Sequence, residues 1–189
     1  MQRVILGGVL GGLVLFVWGA ISHMALPLGH AGIGTMNAER EPQVLEAMRG
    51  AMSERLIYMF PGGDTQNMSP AELGEWQRRN AAGPSGLVVF DPGPGAELGG
   101  LTLGTELLSN ILLCLLVSVF VMHLAPGLGY GTKVLLISMM GLATVLSIEA
   151  SYWNWYRFPT SYFVAQAVDG VVGAFLAGLV IAKVVRSRG

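Results

Sequence analysis

Three acids stand inside otherwise apolar runs: Glu106, Glu149 and Asp169. A carboxylate at the centre of a membrane span costs roughly 2.5–3.5 kcal/mol on the insertion scale, so such residues face a bundle interior or a cavity and mark a function by default. Their neighbours add polarity. Asn110 lies one turn from Glu106 on the same helical face, Gln166 three residues before Asp169 on its face, and Ser147 close to Glu149. A gathering of carboxyls in low dielectric can hold a proton near neutral pH, relay protons or bind a cation. With His23 or His30 it could also ligate a metal, although no HxxxH or ExxH spacing occurs. A structural reading competes. Glu106 and Glu149 would then flex to the membrane interface, and Asp169 would hydrogen-bond Gln166 or a backbone group.

Other chemistries have little support. There is no GxSxG, and no Ser or Cys has a histidine at a telling distance. Cys114, the single cysteine, sits between leucines and reads as a small apolar residue; it allows no intrachain disulfide, CxxC redox pair or Cys-based zinc site. Pro61-Gly62-Gly63 lacks the Lys-Ser/Thr of a phosphate loop and reads as a turn. No cofactor and no catalytic set are expected.

The elements that must position the acids follow from composition. Of 189 residues, 52% are hydrophobic and 12% charged, against about 25% charged in a typical soluble domain. The mean hydropathy is +0.57. A net charge of -1 argues against nucleic acid as a partner. Four runs approach the roughly 20 residues that cross a hydrocarbon core: Val4–Ser22, Leu101–Leu124, Val134–Tyr152 and Tyr162–Ala182. Arg3 and Ala20-Ile21-Ser22 give the first run some likeness to a cleaved signal peptide. Its apolar stretch exceeds the usual h-region of roughly 7–15 residues, so an uncleaved anchor is expected. With no cysteine after it, it is not a lipoprotein signal.

Positive charge sets the expected orientation. Arg3, Lys133, Lys183, Arg186 and Arg188 occupy short segments that belong inside. The long loop from His23 to Gly100, with nine acids and five arginines, belongs outside. Both termini are therefore expected to be cytoplasmic, and Glu106, Glu149 and Asp169 all fall toward the outer side. Tyr152, Trp153, Trp155, Tyr156 and Phe158 read as an interfacial belt, with Arg157 placed to meet lipid phosphate; the alternative is a stacking floor under a ligand. His123 reads as an interfacial residue at the inner end of the second span.

The outer segment is more than a linker. Gln43–Met52 carries a helical pattern with Val44, Leu45, Met48 and Met52 apolar. Leu56–Phe60 and Gly86–Phe90 read as strands closed by Pro-Gly turns. Ser69-Pro70-Ala71-Glu72 is a helix start, running to about Asn80. Two strands joined through a helix can pair side by side, with a right-handed crossover. About 60 residues make a marginal fold without metal or disulfides, so this part is expected to rest on the membrane region, the bilayer or a partner. The expected architecture is a four-transmembrane-helix bundle with a small extracytoplasmic α/β domain inserted between the first and second helices. Its parts are residues 1–24, the segment 25–100, and a three-helix region at 101–189.

Small residues mark two spans. Gly7, Gly8, Gly11 and Gly12 form two overlapping GxxxG patterns, and Gly173, Ala174, Ala177 and Gly178 repeat small-xxx-small spacing. Such faces let backbones approach closely where lipid offers no hydrophobic advantage. They serve either internal packing of the first span on the fourth or docking into a larger assembly.

Val17-Trp18-Gly19 at the end of the first run, Phe60-Pro61-Gly62 after a strand, and the aromatic stretch from Tyr152 to Pro159 form a recurring layout. The chain thereby resembles small bacterial inner-membrane proteins with four helices and an extracytoplasmic α/β insert. The resemblance implies the topology and transfers no catalytic residue. The expected function is an accessory or scaffolding subunit of a membrane complex, with lipids and other membrane subunits or itself as partners. The alternative is an outer-side site for protons, cations or lipid head groups, built from Glu106, Asn110, Glu149, Gln166 and Asp169.

Overall fold

A computed structural model describes residues 1–95 and 97–185; Arg186 and Arg188, counted among the inner charges, lie outside the described residues. The chain forms two compact units, residues 1–34 with 97–189 and residues 35–96.

The first unit holds four helices long and apolar enough to cross a membrane. They are α1 (Gln2–Ala20), α4 (Gly100–Leu124), α5 (Tyr130–Trp155) and α6 (Thr160–Val184), while α2 (Glu41–Ala51) and α3 (Pro70–Ala82) belong to the second unit. Helix α1 continues through a π-helical turn, Ile21–Ala25. The chain is accordingly a multi-pass membrane protein by the length and composition of these helices.

Glycine decides how the helices pack. A Cβ added at Gly12 would sit 2.5 Å from the Cα of Ile111, and one at Gly8 would sit 2.9 Å from the Cα of Leu115, so α1 lies against the α4 backbone. On the adjoining stripe, a Cβ at Gly7 would meet Val185 at 2.8 Å and Ser118 at 2.9 Å, and one at Gly11 would meet Ile181 at 2.9 Å. Both GxxxG patterns are thus consumed inside the bundle, on α4 and on the α4–α6 seam. The small face of α6 is likewise occupied: Gly173 by Trp18 and Leu15, Gly178 by Ile137, and Ala174 by Gly141 of α5. Cys114, Val117, Val121, Ile137, Ala177, Ile181 and Val185 form the buried core at one end of the bundle.

Helix α1 packs on α4 and α6, and α6 packs on α5. Helices α4 and α5 follow one another in the chain yet have no packed interface. At the end where α1 begins, the Lys133 ammonium, 4% exposed, donates to the Val185 carbonyl at 3.3 Å. A cation there satisfies a C-terminal carbonyl of α6 and meets the negative end of its dipole. At the opposite end the Trp18 indole N–H donates to the Asp169 carbonyl at 3.1 Å, tying α1 to α6. The described start of α1 and the end of α6 therefore share one end of the bundle.

In the second unit, α2 (Glu41–Ala51) precedes β1 (Leu56–Phe60), α3 (Pro70–Ala82) and β2 (Gly86–Phe90). The strands pair antiparallel, Leu56 opposite Phe90 and Phe60 opposite Gly86. This corrects the expected right-handed crossover. A crossover needs the helix to carry the chain back along the strand. Here the irregular stretch after Phe60 carries the chain away, and α3 brings it back to the same end of the sheet. The Trp76 indole N–H fixes this return by donating to the Pro61 carbonyl at 3.0 Å, which also makes Pro61-Gly62-Gly63 a packed turn. Phe90 is the one buried residue described in this unit, in edge-to-face contact with Tyr58. The exposed Arg55–Asp91 pair at 3.2 Å adds little. The expected capping box is present: Ser69 Oγ accepts from the Glu72 N–H at 3.4 Å, and the Glu72 carboxylate accepts from the Ser69 N–H at 2.8 Å.

Two outcomes are expected. Gly12→Ala pushes a methyl into α4 backbone and destabilises the α1–α4 pair by about 1–3 kcal/mol. Gly19→Ala, with nothing within 4 Å, is tolerated. Thermal unfolding of the detergent-solubilised protein compares them. In the second unit, Ser69→Ala costs about 1 kcal/mol of helix stability. The Ser69 hydroxyl, then its N–H, holds the Glu72 carboxyl below its ordinary value of 4.5. The folded state thus binds this proton less readily than the unfolded one, and the cap's contribution is complete above 4.5 and lost as pH falls through the lowered value. Amide shifts of Glu72 and Leu73, followed through an acid titration, read this loosening, and Ser69→Ala raises its midpoint.

Candidate functional site

Because α4 and α5 do not pack on each other, a cleft remains between them, with α1 and α6 behind it. Its volume is about 660 Å³. All five polar candidates from three helices line it: Glu106 and Asn110 from α4, Glu149 from α5, and Gln166 and Asp169 from α6. His23 lines it too.

Helical spacing accounts for the gathering. Glu106 and Asn110 are one turn apart, and the Asn110 side-chain N–H donates to Glu106 Oε1 at 3.1 Å. Gln166, Asp169, Gly170 and Gly173 share a face of α6, and the last two leave room for Val145 and Trp18 to come close. Glu149 projects from α5 one turn beyond Val145, which also lines the cleft. Trp18 holds α6 at the Asp169 carbonyl itself.

The electrostatics are one-sided. Among the described residues lining the cleft there are three carboxyl groups and no lysine or arginine. Glu149 Oε2 and Asp169 Oδ1 are shielded from solvent and have no hydrogen-bond partner among the described residues. The expected structural bond of Asp169 with Gln166 does not form. An unpartnered carboxyl oxygen in such surroundings is costly unless a proton or a donor meets it.

His23 reaches the cleft through the π-helical turn, a local widening often found at functional sites. Its Nδ1 lies 2.8 Å from Ser22 Oγ and 3.2 Å from the Gly19 carbonyl, and the Ser22 hydroxyl lies 3.1 Å from the same carbonyl. With the hydroxyl donating to that carbonyl, Nδ1–H donates to Ser22 Oγ, and Nε2 is the ring nitrogen left to act on a ligand. His30 stands in a short 3-10 turn, Pro27–His30, and does not line the cleft. Among the described residues no three His, Cys, Asp or Glu side chains come together as metal ligands.

The aromatic stretch lies elsewhere. Trp153, Trp155, Tyr156 and Arg157 are not among the cleft residues. Trp153 stacks on Phe163 with centroids 5.8 Å apart and donates to Thr160 Oγ1 at 3.2 Å, and Tyr152 packs on Tyr156 and Phe158. These contacts hold the turn between α5 and α6, where Arg157 takes a left-handed φ of 58°. They do not form a floor beneath the cleft.

Trp18 and Thr144 are lining residues that sequence reasoning did not assign to the site. Trp18 carried a signal, an indole N–H in an apolar run beside Gly19 that must find an acceptor. Thr144 carried none. Comparisons with protein families, with characterised proteins and with solved structures find no match to this chain.

Proposed function

We propose that this multi-pass membrane protein captures a cationic group in the cleft between α4 and α5, as the binding step of a carrier or receptor. One observation supports this above the others: carboxyls from three helices line a single cleft with no lysine or arginine among its described lining residues, and two of their oxygens have no partner among the described residues. A cation answers both the charge and the missing donors. Asp169 is the anchor, since it sits well inside α6 beside the Trp18 bond. Glu149 and Glu106 complete the charge, and Asn110 and Gln166 supply neutral hydrogen bonds. The accessory-subunit role loses its main motive, because the glycine faces of α1 and α6 are used within the bundle.

For placement, we propose the bacterial inner membrane with both termini cytoplasmic and residues 25–100 outside, so that the carboxyl end of the cleft opens toward the outer leaflet. Support comes from the short basic segments and from the shared end of α1's start and α6's finish.

Thermal unfolding in uncharged detergent, with butylammonium or butyrate added, tests the function. Butylammonium should raise the midpoint by several degrees and saturate; at 100 times Kd the linkage contribution is about 2.7 kcal/mol. Asp169→Asn and Glu149→Gln should unfold normally without ligand and lose the response, while butyrate has none. Variants that respond as the parent does would refute the assignment. For topology, single cysteines at Gln66 and Leu128 in a Cys114→Ala background are compared in intact cells. An impermeant thiol reagent should reach position 66 and spare 128; the reverse pattern inverts the orientation.

A further inference from the structure

Along the cleft, polarity is segregated. Its carboxyl end is formed by Glu106, Glu149 and Asp169, and the rest by Leu113, Val117, Ile137, Met140, Ala177 and Ile181. From Glu106 to Val117 along α4 is roughly 16 Å at about 1.5 Å per residue, long enough for a medium-length alkyl chain. The cleft is flanked by α4 and α5, two helices that do not close on each other, so it is accessible sideways from the hydrocarbon layer. A small hydrophilic ion needs only the carboxyl end and leaves the apolar limb without purpose.

We infer that the occupant is an amphiphile with an ammonium head and a hydrocarbon chain, entering from the bilayer between α4 and α5. The head lies at the level of the carboxyls, anchored by Asp169, and its N–H groups supply the donor that Asp169 Oδ1 lacks. The chain lies along the exposed Leu113 and Met140, over the buried Val117 and Ile137. Charge complementarity selects this class over anionic lipids, because like charge inside a low-dielectric cleft is strongly unfavourable and no lysine or arginine among the described lining residues offsets it. Hydrocarbon contact with the cleft replaces hydrocarbon contact with lipid, so the chain contributes location more than affinity and the head group supplies selectivity.

This inference rests on the cation reading and is tested separately from it. The full-length protein is reconstituted in phosphatidylcholine nanodiscs. It is irradiated with dodecylammonium carrying a diazirine at mid-chain, and with the same chain bearing a sulfate head. Adducts are mapped by peptide mass spectrometry. With adducts assigned to single residues by fragmentation of the labelled peptides, the ammonium probe should label Leu113 and Met140 at least ten-fold more than the sulfate probe. Excess unlabelled dodecylammonium should remove the labelling, and Asp169→Asn should reduce it to the sulfate level. Equal labelling by both heads, or adducts confined to lipid-facing positions such as Leu116 and Leu135, would overturn the inference. If that happens while butylammonium still stabilises the parent and not Asp169→Asn, a cation site without a chain limb stands. If butylammonium also has no effect, both readings fall together.

Discussion

The close approach of α1 to its two neighbours is the constraint on which the bundle depends. Lipid tails are as apolar as leucine, so helices in a membrane gain nothing by merely hiding apolar surface. They need contact at short range, and here Gly8 and Gly12 bring α1 onto α4 backbone while Gly7 and Gly11 admit Ile181 and Val185 of α6. Helix α1 is thereby the common partner of α4 and α6. With α6 holding α5, the order across the bundle is α4, α1, α6, α5, and the two outermost helices have no glycine seam between them. The cleft is what this order leaves behind.

That geometry explains why carboxyls can exist so far from the ends of apolar helices. Each lines a space instead of pressing against a packed neighbour, and each is kept there by a local device. Asn110 donates to Glu106, Trp18 fixes the backbone at Asp169, and Val145 positions the turn that carries Glu149. None of these devices neutralises a carboxylate. Among the described residues the bundle places one cation in its interior, Lys133, and commits it at the far end to the carbonyl of Val185, the residue that caps α6. The bundle thus keeps its buried lysine apart from the cleft acids, two of which have a shielded oxygen, the opposite of what a structural ion pair would require.

Much of this was legible in the chain. The four apolar runs match the four long helices within a few residues, because length and hydropathy alone set them. Both short strands and the Ser69 cap were readable, since Pro-Gly breaks and a capping box are local signals. That the five polar residues share a cleft was partly readable, from helical spacing and common depth. The antiparallel pairing of β1 with β2 was not, because it depends on Trp76 anchoring the return of α3, a contact over fifteen residues. Nor was the separation of α4 from α5: a short loop suggests adjacent helices, and only the competition for α1's glycines decides otherwise. His23 entered the cleft through a π-helical turn, an extra residue in the helical repeat that no pattern of apolar residues announces.

The pairing of α1 with α4 also bears on how the protein is made. Helices α5 and α6 are sequence neighbours and can associate as a hairpin soon after both emerge. Helix α1 must wait for α4, which follows it only after the whole of residues 35–96 has been synthesised. During that interval the glycine stripe of α1 is bare to lipid, and its seam on Ile181 and Val185 stays open longest, until α6 is complete. Helix α1 precedes both of its partners in the chain and is therefore fully enclosed only once α6 has been made.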